Sequence, residues 1–187
     1  MNDYKLFMVL IGCTPAGRNI EQHDIFFGVA KHIKDLIPEL QAFWPDSGSM
    51  HLDGYKTVTN VDGYQIKITE KTSEVQNENK LFFINLGGYK QNEFEEYHYK
   101  MLAVSNNKSG AIKASKETAF FKHTGFGAKA SSHIDDKFGI DVDDIYAIED
   151  ILSDETKAKF SINISDIQNI ELPEDELNLG YFKLSSL

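Results

Sequence analysis

The sequence predicts an α+β protein made by internal duplication of a strand-strand-helix-strand-strand unit, the copies related by a pseudo-two-fold axis. Three observations carry this prediction. The apolar run KLFMVLIG, Lys5 to Gly12, is written a second time as KLFFINLGG from Lys80. Sliding the chain against itself by 75 positions, without a gap, makes seven of the twenty-six positions from Lys5 to Ala30 identical, where average residue usage gives roughly one or two. Strand-like and helix-like patterns then follow in the same order in both halves, as duplication of one structural unit requires.

The identities are Lys5, Leu6, Phe7, Gly12, Glu21, His23 and Val29 with Lys80, Leu81, Phe82, Gly87, Glu96, His98 and Val104. After a two-residue slip Ala42 and Phe43 match Ala119 and Phe120. After five more, His51, Asp53, Asp62, Tyr64 and Ile66 match His133, Asp135, Asp144, Tyr146 and Ile148.

Taken in order, Tyr4 to Ile11 is a short continuous apolar run, the pattern of a strand buried on both faces. Cys13 to Asn19, with Pro15 and Gly17, is a loop. Ile20 to Ala30 reads as a strand that places Glu21, His23, Ile25, Phe27 and Val29 on one face. Ile33, Leu36, Ile37, Leu40 and Phe43 have helical spacing, and Pro38 fits only near a helix start, so the regular helix runs from about Asp35 to before Pro45. His51 to Thr59 and Tyr64 to Thr69 read as a hairpin around Asp62-Gly63. The second copy repeats the plan with strands at Leu81 to Leu86 and Tyr97 to Ser105, a helix from Ser109 to about His123, and a last strand pair within His133 to Leu152 around Asp143-Asp144. The domains are therefore 1–70 and 80–152, with a polar linker 71–79 and an extension 153–187 in which Phe160 to Ile164 and Tyr181 to Leu184 are short strands.

Length and composition bound the function. The 187 residues, 41% hydrophobic, hold one sizeable core or two small fused ones. One cysteine, Cys13, allows no intramolecular disulfide and suits a reducing cytoplasm. Leu10-Ile11-Gly12-Cys13 has the look of a lipid-attachment box, but the apolar run is short, Asp3 precedes it, and the stretch recurs mid-chain, so it reads as a strand. No apolar run approaches membrane-spanning length. The net charge of −10 opposes nucleic-acid binding, and the lysines between Lys108 and Lys129 lack the aromatic interleaving of a nucleic-acid face.

Gly12 to Gly17 has phosphate-loop glycine spacing, yet Arg18 and Asn19 stand where Lys and Ser or Thr are needed. Arg18, the only arginine, suits an anionic group if that loop lines a pocket. The sharper candidates are Glu21-x-His23 with its twin Glu96-x-His98, and His51-x-Asp53 with its twin His133-x-Asp135. Residues two apart on a strand share a face, so each pair can converge on one point, as proton transfer or metal ligation demands. The competing structural reading is a satisfied polar pair at a strand end. Neither a cofactor nor a metal is specified by these pairs alone.

With KLFMVLIG, GRNIEQHDIFFG, AFWP, HLDGY and VDGY read, residues 4 to about 152 resemble a bacterial family catalogued as domain of unknown function 1543, which occurs as one or two tandem copies. The resemblance implies a soluble bacterial protein with tandem domains. It implies no activity, cofactor or catalytic residue. The leading expectation is a cytoplasmic binding protein for a small ligand, its site between the repeats and lined by the paired residues. The alternatives are an acidic protein–protein interaction or immunity-type module, and a metal-assisted or acid–base hydrolase.

Overall fold

The computed structural model describes residues 3–71, 78–89, 92–117, 140–167 and 173–187. The architecture is mixed, with antiparallel strands in three sheets and a few short helices. The chain divides into two compact units, residues 1–76 with 151–187, and residues 77–150.

In the first unit β1 (Lys5–Cys13) is flanked by β2 (Gln22–Ala30) and β3 (His51–Thr57), both antiparallel to it. The apolar run forms a central strand because both of its faces are covered: Leu6, Phe7, Val9 and Ile11 are all buried. Phe7, Val9 and Ile11 join Phe26, Ala30, Leu36, Leu40, Met50 and Leu52 in one core. Leu36 and Leu40 reach that core from a 3₁₀ turn at Ile33–Leu36 and from α1 (Ile37–Phe43), where Pro38 sits in the first turn and so interrupts no helical hydrogen bond.

β3 is interrupted by a bulge. Leu10 pairs with Gly54 and Ile11 with Leu52, which leaves Asp53 as the extra residue. β4 (Asn60–Val61) and β5 (Tyr64–Glu70) form a hairpin whose turn residues Asp62 and Gly63 have φ of 52° and 81°, the left-handed pair of a type I′ turn.

In the second unit β6 (Lys80–Tyr89) is flanked by β7 (Glu96–Ser105) and β8 (Ile140–Ala147), again antiparallel. Phe82, Ile84, Leu86, Ala103, Ala111 and Ala147 make its core. Ala111 comes from α2 (Lys108–Lys116), capped where the Gly110 N–H donates to the Asn107 side chain at 2.8 Å. The bulge of β8 lies between Asn85↔Asp144 and Leu86↔Val142, so Asp143 is the extra residue. The chain continues through α3 (Ile148–Ile151) into α4 (Asp154–Lys159), whose start is capped by Ser153.

The extension expected from 153 onward returns to the first unit. β9 (Phe160–Asp166) pairs with β5, and β10 (Asn178–Lys183) pairs with β3 to complete the order β10-β3-β1-β2. The Thr59 N–H and hydroxyl both donate to Asp175, at 3.0 and 2.5 Å.

Two expectations are corrected here. His51–Thr59 and Tyr64–Thr69 are not partners in one hairpin: the Asp62-Gly63 turn joins β4 to β5, while β3 pairs with β1 and β10. The reason is burial, since Leu52 is fully buried and His51 nearly so, which a strand paired only within a two-stranded ribbon would not achieve. Likewise Asp143-Asp144 is no hairpin turn but the bulge of one continuous strand, followed by α3 where a fourth strand was expected. The linker's residues 72–77, and Ala119 and Phe120 of the second helix end, lie outside the described residues.

Candidate functional site

The site of the first unit follows from strand register. Gly12 is the cross-strand partner of His23 on β2 and of His51 on β3. Opposed residues share a face, so both imidazoles rise where Gly12 contributes no side chain. Glu21 lies two residues before His23 and points the same way. Asp53 would follow His51 by the same rule, and the bulge gives the strand the extra residue that lets its carboxylate lean back over Gly12. A Cβ added at Gly12 would stand 2.6 Å from Asp53 Oδ2, 2.8 Å from His51 Nε2 and 3.2 Å from His23 Cδ2. The glycine is therefore the floor of the cluster.

Four ion-pair contacts close the side chains into a ring. His23 Nε2 is 3.1 Å from Asp53 Oδ2 and 3.5 Å from Glu21 Oε2. His51 Nε2 is 3.3 Å from Asp53 Oδ1 and 3.2 Å from Glu21 Oε1. Each carboxylate thus turns one oxygen to each imidazole. Exposure is graded across the ring: the His51 side chain is 5% exposed, Asp53 26%, and His23 and Glu21 42% each. The ring is open to solvent on the β2 side and closed on the β3 side, where Tyr181 of β10 covers His51 with ring centroids 4.2 Å apart. β10 reaches this position because β3 carries Gly54, where a Cβ would stand 2.9 Å from the Leu179 side chain and 3.1 Å from the Asn178 carbonyl.

Proximity is not matched by hydrogen bonding. Both ring nitrogens of His51, and Asp53 Oδ2, are buried without a hydrogen-bond partner. The donor atoms meet at contact distance but not along donor–acceptor lines. They lie within ion-pair distance of one another, and among the described residues no group of three or more His, Cys, Asp or Glu side chains could hold a metal ion.

The second unit builds a related but looser cluster. Gly87 is the partner of His98 on β7, and a Cβ there would fall 2.0 Å from Asp143 Oδ2. His98 Nδ1 lies 3.4 Å from Asp143 Oδ2 and 3.3 Å from Asn85 Nδ2, and His98 Nε2 is 3.8 Å from Glu96 Oε2. The register position that His51 holds opposite Gly12 is held opposite Gly87 by Asp141.

The structure thus brings Glu21, His23, His51 and Asp53 together, and Glu96 with His98. Arg18 is exposed in the loop before β2, its N–H donating to the Pro15 carbonyl, and is not part of the ring. His133 and Asp135 lie outside the described residues. Sequence reasoning missed Asp143 and Asn85. The signal for Asp143 was present: Asp141-Val-Asp143 matches His51-Leu-Asp53 in its buried aliphatic centre and its second carboxylate.

Cys13 is fully buried and follows Gly12, so its side chain leaves β1 on the other face. Burial first, and then the negative charge of Glu21, push its thiol pKa up. That is the opposite of an activated nucleophile. A surface cleft lined by Asp3, Tyr4, Lys5, Lys31 and His32 lies at the far end of the β1–β2 pair and holds none of the candidate residues. No helix among the described residues is long and apolar enough to cross a membrane.

Comparison with solved structures finds a protein, Il1583 from Idiomarina loihiensis, that is 24% identical, with 97% of each chain covered and a TM-score of 0.65. At that identity the likeness shows a shared fold. No curated protein sequence matches. Residues 18–68, which hold all four members of the ring, match the model of a family described as Domain of Unknown Function (DUF1543), the family that the sequence motifs resemble.

Proposed function

We propose that the chain is a binding protein whose site is the Glu21/His23/His51/Asp53 ring at the glycine end of the first unit's sheet. One observation carries this reading. His51 and Asp53 Oδ2 are buried against groups of opposite charge, yet none of these atoms has a hydrogen bond. A polar pair kept for stability would be hydrogen-bonded, because an unsatisfied buried group costs roughly 1–3 kcal/mol. Atoms held near one another but aimed elsewhere are arranged for something that enters between them.

The same reading takes the two units as copies of one ancestral unit. The orders β2-β1-β3 and β7-β6-β8, the glycines Gly12 and Gly87, and the bulges at Asp53 and Asp143 support it. The copies have diverged in their donor sets, and the first is the better formed.

The test is the stability of His23→Ala and Asp53→Asn. Trp44, the only tryptophan, packs against the first unit's core, so its fluorescence during urea unfolding reports on that unit. A binding site predicts stability unchanged or raised, since relieving the unsatisfied cluster costs the fold nothing. A loss of about 1–3 kcal/mol in both variants would mark the ring as structural and sink the proposal.

A second reading is an acidic interaction module. It is favoured by Leu177, Leu179 and Tyr181, all more than 60% exposed beside or on the edge strand β10, on a chain of charge −10. An exposed apolar edge is a pairing surface. Leu179→Asp would abolish capture of a basic protein partner on this reading and would leave a ligand at the ring unaffected.

A further inference from the structure

We infer that the ring of the first unit binds the protonated amino group of an organic amine, whose apolar part lies on the strand face beside it. This rests on the reading of the ring as a binding site and names the ligand class. Charge carries the first step. Among the described residues the ion-pair partners of Glu21 and Asp53 are the imidazoles of His23 and His51, and no lysine or arginine nitrogen joins them. With the imidazoles neutral, the ring holds two carboxylate charges and no fixed positive one, on a chain of net charge −10. The complementary ligand is a cation.

The unsatisfied atoms select the kind of cation. Asp53 Oδ2 and His51 Nε2 are buried without hydrogen bonds. The carboxylate oxygen is an acceptor, and so is the imidazole nitrogen when the ring proton sits on Nδ1. An ammonium group brings three N–H donors and no acceptor, so it complements acceptors that the fold leaves unpaired. The contacts of 3.1 to 3.5 Å within the ring are too short to hold a nitrogen between them, since each charge-assisted N–H···O bond spans about 2.7–2.9 Å. The head group therefore enters from the open β2 side, where Glu21 and His23, each 42% exposed, have space to part.

The surroundings call for more than a bare ion. Leu10 pairs with Ile25 on β2 and with Gly54 on β3, which places both aliphatic side chains on the face of the ring, and both are half-buried. Leu179 leans in over Gly54 from β10, because a Cβ on Gly54 would stand 2.9 Å from its side chain, yet Leu179 is 71% exposed. Tyr181, stacked over His51, is 63% exposed. These four side chains border the ring with an apolar shelf, and Tyr181 offers an aromatic face of the kind that attracts ammonium ions.

The second unit lacks this combination. In the repeat alignment Asn85 replaces Leu10, and its amide nitrogen stands 3.3 Å from His98 Nδ1 and 3.5 Å from Asp144 Oδ2, so a donor of the chain itself already occupies the cluster. Among the described residues its sheet ends at β8, without a counterpart of β10.

The experiment is an NMR titration of the full-length protein with phenethylamine, methylamine and phenylacetate, read at the rings of His23 and His51. It is run at about pH 8, where free imidazole is neutral and alkylamines are charged. Phenethylamine should shift both rings saturably. Methylamine should bind at least about 10-fold more weakly, having no carbon to bury on the shelf, and phenylacetate, with the same ring and the opposite charge, should not bind. Glu21→Gln and Asp53→Asn should each weaken phenethylamine by about 10-fold or more, the loss of one charge-assisted hydrogen bond. Leu179→Ser should narrow the gap between phenethylamine and methylamine, and Glu96→Gln should leave both unchanged. Because Glu21 is exposed, its variant stays informative if Asp53→Asn does not fold. Nα-acetyl-lysine methylamide separates the sources of the amine: binding tighter than that of phenethylamine assigns the site to a lysine of a polypeptide, weaker binding to a free amine, and either upholds the ammonium assignment. Equal binding of phenylacetate, or unchanged phenethylamine binding by Glu21→Gln, overturns it. If no amine binds while His23→Ala and Asp53→Asn keep full stability, the amine assignment falls and the ring remains a binding site for another ligand. If those variants are destabilised as well, both readings fall.

Discussion

Gly12→Ala probes the floor of the ring with a single methyl group. The backbone permits it, since Gly12 is not among the glycines with positive φ, so the whole effect comes from space. The new Cβ would stand 2.6 Å from Asp53 Oδ2 and 2.8 Å from His51 Nε2, both closer than real Cβ contacts allow. Asp53 is 26% exposed and at the end of a short side chain, so it can swing outward. His51 cannot follow, because it is 5% exposed and held beneath Tyr181. The strain therefore falls on the β1–β3 contact, and overpacking of this kind costs about 1–3 kcal/mol. Urea unfolding followed through Trp44 measures it in the first unit. Gly12→Ala combined with Asp53→Ala removes the nearer collision and should recover part of the loss. A single variant within about 0.3 kcal/mol of wild type, with no change at the His23 and His51 rings, would show that the glycine is not a floor.

Further outcomes follow from the same geometry. Cys13 is fully buried, so in the native protein it should resist alkylation and react at once in denaturant. Its thiol pKa is raised in the folded state by burial and Glu21. The stability this contributes is complete below the unfolded thiol value of about 8.5 and falls as pH rises through it. Cys13→Ala should flatten that alkaline decline, measured as urea midpoints from pH 7 to 10. Deleting residues 178–187 removes β10, uncovers His51, and strips Phe182, Leu184 and Leu187 from the core they pack against. It should cost the first unit at least about 2 kcal/mol, whereas Tyr181→Ala should chiefly raise solvent access to the His51 ring, read by hydrogen–deuterium exchange of its carbon-bound protons. Equal loss from both variants would place the contribution of β10 in Tyr181 alone.

Much of this arrangement is legible in the residues, and the parts that are not have identifiable causes. β1 and β2 are readable because both are short runs rich in β-branched and aromatic residues, and period two alone puts Glu21 and His23 on one face, although β2 is exposed at its start and buried on both faces from Phe26 to Ala30. The repeated glycine was visible as an identity, but its meaning was not. Only pairing shows that Gly12 and Gly87 stand between strands whose side chains need that space. The likeness of β3 and β8 in register, each the second neighbour of a central strand and each bulged, was not read from the sequence, where the match of His51 with His133 drew the eye away from the aliphatic pattern of Leu52 with Val142. Asp53 was found from its spacing to His51, but a bulge adds one residue and breaks the alternation that would have marked Asp143 as a site residue. Tyr181 over His51 was beyond reach altogether, since pairing of β10 with β3 joins segments more than a hundred residues apart and leaves no local trace.

The central claim is that Glu21, His23, His51 and Asp53 act as one cluster. The most direct measurement is the ring-nitrogen NMR spectrum of the six histidines, assigned by single substitutions and compared between wild type and Asp53→Asn. Asp53 touches both His23 and His51, through different oxygens. The account predicts that this one substitution moves the ring nitrogens of both residues together and leaves those of His32, at the other end of β2, in place. A change at one ring alone, or at neither, would show that the four side chains are neighbours and not a site.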